Sequence, residues 1–271
     1  MPGQALIARF AHRLTHINDY RERIFYALAR VFAFVLGLLA CAWGVATFPT
    51  LWWQISIERT ADAIVDHATF KSSSLEPLLP AVDEIEESSY CRPEAVHSAA
   101  IIRLQLAENA LADAQRGVID ARLSTLDNTI RRSLACSPSD PFLWMILAWV
   151  DQTREGFRPG QLAYLRLSYR LGPYEGWIAD RRNRQALSIF ERLPLDLADA
   201  VVREFADMVK GEFDEQAIAI LMGPGWPIHD QLLAGLEGID LRRREDLAKE
   251  LYSAGYDVAV PGIARRAPRP W

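Results

Sequence analysis

Residues 137–175 read SPSDPFLWMILAWVDQTREGFRPGQLAYLRLSYRLGPYE, and the spacing inside this stretch decides the fold. Ser137, Pro138 and Ser139 break the preceding element. Asp140 then offers the short acceptor side chain of a helix N-cap, and Pro141 has the fixed backbone angle that suits the first helical position. Leu143, Trp144, Leu147, Ala148 and Val150 follow at helical steps, which predicts a helix over 141–154. Gly156 and Pro159 make a turn. Leu162, Leu165, Leu167 and Tyr169 mark a second helix, closed by Gly172 and Pro173. The stretch is a helical hairpin.

The same pattern extends in both directions. Upstream, helices are predicted over 93–116 and 118–135; downstream, over 174–192, 195–210, 214–222, 227–236 and 241–254. Asp196, Asp214 and Asp240 are candidate caps, and Gly211, Gly223 and Gly255 candidate stops. Long alternating β-branched runs are missing, so the fold class is all-α. LEPLLPAVDEIEESSYCRP at 75–93 carries three prolines and an acidic cluster and reads as a connector. Ile55, Ala61, Ile64, Val65 and Ala68 place a helix before it, so that 54–92 is a juxtamembrane helix and acidic connector. Residues 93–256 form the main helical domain, and 257–271 read as a tail.

Residues 31–53, VFAFVLGLLACAWGVATFPTLWW, hold no charged side chain. Before Pro49 this run spans about 27 Å as a helix, close to the ~30 Å hydrocarbon core of a bilayer. Trp43, Trp52 and Trp53 lie toward the far end, where indole rings favour the interface. Five arginines stand in residues 1–30 against Asp19 and Glu22, so the positive-inside rule puts the N-terminus in the cytoplasm and the main domain outside. Leu38-Leu39-Ala40-Cys41 matches a lipoprotein processing box with Cys41 as the lipidated residue, but the apolar run continues past it, which favours a plain helix. The chain carries −5 overall, and its first thirty residues +3, leaving about −8 beyond them. That balance argues against nucleic acid as a partner.

Lysine is scarce, only Lys71, Lys210 and Lys249, which hints at a bacterial source and makes the outer compartment the periplasm. There Cys91 and Cys136, 45 positions apart, are a candidate disulfide. Cys91 precedes one predicted helix and Cys136 ends the next, and an antiparallel hairpin brings those ends together. The alternative is two separately buried thiols.

Two helix endings echo each other: IRRSLACSP at 130–138 and LRLSYRLGP at 165–173 stand thirty-five residues apart, near the tetratricopeptide period of about 34. With Trp144, Leu147, Ala148, Gly172 and Pro173, the stretch 94–173 resembles tetratricopeptide packing, although the small residues of the second helix are out of register. SPSDPFLWMILAW and LRLSYRLGPYEGW also resemble a bacterial family of single-pass, tetratricopeptide-like polysaccharide biosynthesis proteins. The matching residues include Ser137, Pro138, Asp140, Pro141, Trp149, Leu165, Leu171, Tyr174 and Glu175. The resemblance implies a non-enzymatic accessory or scaffold protein for exopolysaccharide biosynthesis or export in the bacterial inner membrane, acting by protein contacts in the periplasm. A general periplasmic adaptor in secretion or envelope assembly has the same architecture; an envelope-glycan enzyme is the third reading.

No chemistry is spelled out. GxSxG, Walker A and GxGxxG motifs are missing, and no catalytic, cofactor or metal residues are assigned. His12 and His16 have helical spacing without the glutamate of a zinc protease; His67, His97 and His229 are scattered. GPGWP at 223–227 is a turn whose Trp226 is either buried or an exposed sugar-stacking surface. Arg181, Arg182 and Arg184, and Arg242, Arg243 and Arg244, are either anion-holding clusters or solvated faces, the second run paired to Glu245 and Asp246.

Overall fold

The computed structural model describes residues 28, 30–45, 48, 53–66, 68–88, 90–114 and 116–264. Every regular element among them is helical, so the chain is all-α. It divides into two compact units, Met1–Ser56 and Ile57–Trp271. In the first, residues 30–45 are helical and leave Phe32, Phe34, Leu38, Leu39, Trp43 and the free Cys41 exposed. The expected membrane span at 31–53 includes residues 46, 47 and 49–52, which lie outside the described residues, as do 1–27, with His12 and His16, and also His67 and 265–271. Among the described residues no helix is long and apolar enough to cross a membrane.

The second unit holds two hydrophobic cores. The first gathers Ile57, Ala61 and Ile64 from the leading helical residues 57–65 with helices α1 (Leu79–Glu87), α2 (Pro93–Ala112), α3 (Arg116–Cys136) and α4 (Pro141–Glu155). Next come α5 (Gln161–Leu171), α6 (Gly176–Leu187), α7 (Leu195–Lys210), α8 (Asp214–Leu221), α9 (His229–Ala234) and α10 (Leu241–Ser253). Leu165, Ala186, Val201, Phe205, Ile220 and Leu247 from these build the second core. Chain neighbours pair: α2 with α3, α4 with α5, and α6 with α7, while α3 also packs on α4 and α8 on α7. Helix α2 is buried on nearly all sides, from Ala95 to Ala110.

Local signals explain most boundaries. The Asp140 side chain accepts from the backbone N–H groups of Phe142 and Leu143, and its other carboxylate oxygen lies 2.5 Å from His97 Nδ1. Asp240 caps α10 by accepting from Arg242 N. Asp196 and Asp214 do not cap; they stand inside the first turns of α7 and α8, behind Pro194 and Phe213. There their charge still favours the positive end of the helix dipole. Gly172 lies so close to Pro141 that an added Cβ would stand 2.7 Å from the proline ring. That contact seats the end of one hairpin on its own beginning.

The acidic connector expected within 54–92 is in large part folded. Residues Ser72–Leu75 and Glu76–Leu78 form short helical turns, and α1 follows. Pro77 and Pro80 fit because each stands in the first turn of its element, where no intrahelical N–H is needed. The acidic residues serve a buried cation: Arg103 of α2 donates to Asp83 and to both carboxylate oxygens of Glu86, which also accepts from Thr129 of α3.

Cys91 and Cys136 form a disulfide with Cα atoms 5.7 Å apart, joining the start of α2 to the end of α3. The hairpin is therefore antiparallel. Replacing both cysteines by serine is expected to lower the unfolding free energy by about 2–4 kcal/mol, read by denaturant melts. Alkylation of the purified, denatured chain without reductant should modify Cys41 alone.

Candidate docking groove and the charged joint beside it

The first helices of the three consecutive pairs, α2, α4 and α6, line a common cavity of about 390 Å³. Leu104 and Glu108 come from α2, Met145, Ile146, Trp149 and Thr153 from α4, and Arg181, Arg184 and Gln185 from α6. Gln152 and Ser188 also face a neighbouring cavity of about 470 Å³, bounded by Phe157, Ile189, Arg192 and Pro227. The two hollows share only these two residues, and the one across the three helices is the groove considered below. It is lined by apolar Leu104, Met145, Ile146 and Trp149 and by the amides and hydroxyls of Gln152, Thr153, Gln185 and Ser188, and its arginines pair within the protein. Arg181 Nη1 meets Glu108 Oε1 at 2.5 Å and Arg184 Nε meets Asp180 at 2.7 Å. The Arg192 guanidinium lies over the Phe157 ring at 5.1 Å.

Three neighbours in the sequence, Arg181, Arg182 and Arg184, therefore do not form one cluster. Arg181 and Arg184 face the groove, whereas Arg182 is fully buried. Its Nε and Nη2 donate to Glu204 Oε1 at 2.8 and 2.6 Å. Nη1 donates to the carbonyl and hydroxyl of Ser168, and Nη2 to the carbonyl of Gly172. Those carbonyls lie at the C-terminal end of α5: Ser168 O also accepts from Gly172 N, and beyond it the helix runs out of intrahelical donors. A cation there completes the helix end and faces its negative pole. Tyr169 stacks under the guanidinium at 4.2 Å and donates its hydroxyl to Glu204 Oε2. Asn183 donates to the carbonyl of Val201 and to the same carboxylate. Burial pushes the Tyr169 phenol well above the usual range, with Glu204 adding to the shift. Burial also raises the Glu204 carboxyl, against the pull of Arg182.

The second arginine run is also divided. Arg243 reaches the carbonyl of Val209 and the carboxylates of Asp214 and Asp246, Arg244 donates to the carbonyl of Pro261, and the Arg242 residue is exposed. The Asp214 hydrogen bond raises the Arg243 pKa. Trp226 is half-exposed and stacks on His229 with ring centroids 4.3 Å apart. Of the two readings of this turn, the buried Trp is corrected: the Trp226 side chain is exposed beside the short turn at Trp226–Ile228. Of the packing residues, Leu147, Ala148 and Gly172 are buried, Trp144 stacks on Tyr164 and donates to the Pro138 carbonyl, and Pro173 is exposed. Among the described residues no group of three or more His, Cys, Asp or Glu side chains could hold a metal ion. Nothing in the sequence distinguished Arg182 from its neighbours; only its i, i+4 relation to the buried Ile178 and Ala186 hinted that it faces inward.

Comparison with protein-family models, curated proteins and solved structures returned no match.

Truncating Glu204 to alanine leaves Arg182 buried without its counter-charge and is expected to cost about 3–5 kcal/mol in denaturant melts. With Arg182→Met added, the double variant should cost clearly less than the two single losses together, because the orphaned charge is gone. The sign for Tyr169 is also fixed. Its folded pKa stands above the unfolded value of about 10, so its contribution is complete below about pH 10 and is lost as pH rises through the folded value. An ultraviolet titration should show one tyrosine ionising only with unfolding.

Proposed function

We propose that this protein is a membrane-anchored, non-enzymatic accessory or scaffold protein for exopolysaccharide biosynthesis or export, and that it works by holding a protein partner in the groove across α2, α4 and α6. That groove is the observation that carries the proposal. It runs across the first helices of three consecutive pairs, the surface on which stacked helical hairpins present a continuous concave face. In this reading residues 94–173 are tetratricopeptide-like, and the thirty-five-residue echo together with Trp144, Leu147, Ala148, Gly172 and Pro173 supports it. The polysaccharide assignment rests on the likeness of the 137–175 wording to that family.

The anchor is the uncharged stretch 31–53. Its described part, helical over 30–45 with Phe32, Phe34, Leu38, Leu39 and Trp43 exposed, offers an apolar surface of the kind lipid covers. The arginines of residues 1–30 favour a cytoplasmic N-terminus and a periplasmic main domain, where the Cys91–Cys136 bridge is at home. A tether of this kind raises the local concentration of the groove at the membrane face.

The test is genetic and structural together. Deleting the gene should reduce secreted polysaccharide, and a chain carrying Gln185→Trp, which fills the groove from α6 without touching a core, should fail to restore it while melting at the wild-type temperature. Unchanged polymer yield and length in the deletion would remove the polysaccharide assignment. Full restoration by the filled groove would remove the groove.

A further inference from the structure

The three walls of the groove are not built on one core. Leu104 of α2 and Met145 and Ile146 of α4 are buried in the first core. Of the buried apolar side chains of α6, Ile178 alone joins that core, whereas Ala179, Ala186 and Leu187 belong to the second. The groove therefore runs along the joint between the two cores, and its width follows how α6 lies against α2 and α4.

Ties across that joint are unevenly spread along α6. At its start, the Trp177 ring meets Phe142 with centroids 5.0 Å apart and His97 at 6.5 Å, and Ile178 is fully buried. One turn further, about 6 Å along the helix, Arg181 Nη1 meets Glu108 Oε1 of α2 at 2.5 Å, both side chains about a third exposed. Beyond Arg181 the polar ties across the joint cease. Arg184 pairs with Asp180 of its own helix, and the Ser188 hydroxyl donates to the Gln185 carbonyl. Among the described residues no side-chain hydrogen bond or ion pair joins residues 184–188 to α2 or α4. The cavity is bounded there by Trp149, Gln152 and Thr153 of α4 and by Arg184, Gln185 and Ser188.

A helix seated at one end, tied one turn later and untied beyond can slide on its neighbours. The slide is small, on the order of 1–2 Å, because α5 packs on α4 and reaches both cores through Tyr164 and Leu165. The tie itself is weak enough to open. A partly exposed ion pair shifts the balance between two arrangements by no more than about fivefold, since solvent screens it. Arg182, the next residue of α6, is fully buried and binds the helix to α5 and α7. The two neighbouring arginines thus differ in role: Arg182 makes α6 part of the second core, and Arg181 is its releasable link to the first.

We infer that the Arg181–Glu108 pair is a clasp that sets the width of the groove, and that its release lets the far end of α6 move away from Trp149. Resting on the groove as a partner site, the clasp supplies the control of that site: an entering segment displaces one weak ion pair and leaves both cores packed.

Trp149 reports on the clasp directly, without a partner. The full-length chain is labelled with 5-fluorotryptophan in detergent micelles, and the Trp149 resonance is assigned with Trp149→Phe. Its relaxation by a neutral gadolinium chelate is then followed by fluorine NMR. Glu108→Gln and Arg181→Met should each raise that relaxation about twofold to fivefold. Sodium chloride at about 0.5 M should do the same in the wild type and little in either variant. Glu108→Arg combined with Arg181→Glu, which restores the pair in reverse, should return the wild-type value. Asp196→Asn breaks an exposed ion pair between α5 and α7, away from the groove, and should change nothing. Each variant should melt within a few degrees of the wild type, as expected for exposed pairs. Unchanged Trp149 relaxation in both single variants, an equal rise in Asp196→Asn, or failure of the reversed pair to restore the wild-type value would each overturn the clasp. These readouts are separate from polymer yield, so a clasp that fails and a groove that fails are told apart.

Discussion

The Arg182–Glu204 pair is the interaction on which the arrangement of the second core depends. A buried guanidinium is tolerable only when its donors are met, and here they are shared among the Glu204 carboxylate, the Ser168 carbonyl and hydroxyl, and the Gly172 carbonyl. Those acceptors come from three places: α7, the end of α5 and the turn after it. The pair therefore fixes where α5 stops, how α6 leaves the turn and how α7 crosses behind it. Apolar packing alone would permit small slides among these helices, whereas a fork of hydrogen bonds permits one register. The groove on one side of α6 inherits its shape from that register.

The first core is organised on a related plan with a different element. Helix α2 is buried almost all round, and its one buried cation, Arg103, is met by Asp83 and Glu86 from α1. In both cores an arginine stands where helices converge and carboxylates arrive from a neighbouring helix. Between the cores, Phe142 of α4 meets Trp177 of α6 with centroids 5.0 Å apart, and Arg181 pairs with Glu108 of α2. These contacts hold the three first helices side by side, which is what makes a groove of them.

Local features were legible in the sequence because their causes lie within a few residues. Asp140, Pro141, Gly172 and Asp240 declared their roles through spacing alone, and the helical periods of α2 to α7 gave boundaries close to those observed. Helix α1 was hidden because its explanation is remote: prolines and acids in a row read as linker until Arg103, 17 to 20 residues on, requires them. Arg182 was hidden for the same reason among other arginines, since its acceptors come from Ser168, Gly172 and Glu204. Asp196 and Asp214 show the limit even for local signals, because a short acid fits a cap and a first turn almost equally well. The hollow of about 350 Å³ lined by both Tyr174 and Phe213 had no signature, because residues 39 positions apart come to line it only through the packing of α6 on α7.

The pairing of chain neighbours has a consequence in time. Helices that touch are mostly consecutive, so few contacts require the closure of long loops, and a local helical pair such as α2–α3 forms early, in well under a second. Thiol oxidation takes seconds or longer. The α2–α3 hairpin can thus be assembled before its cysteines react, with Cys91 and Cys136 already brought together by the fold. The bridge acts as a latch closed on a finished hairpin, and its contribution is to the lifetime of the folded state more than to the route that reaches it.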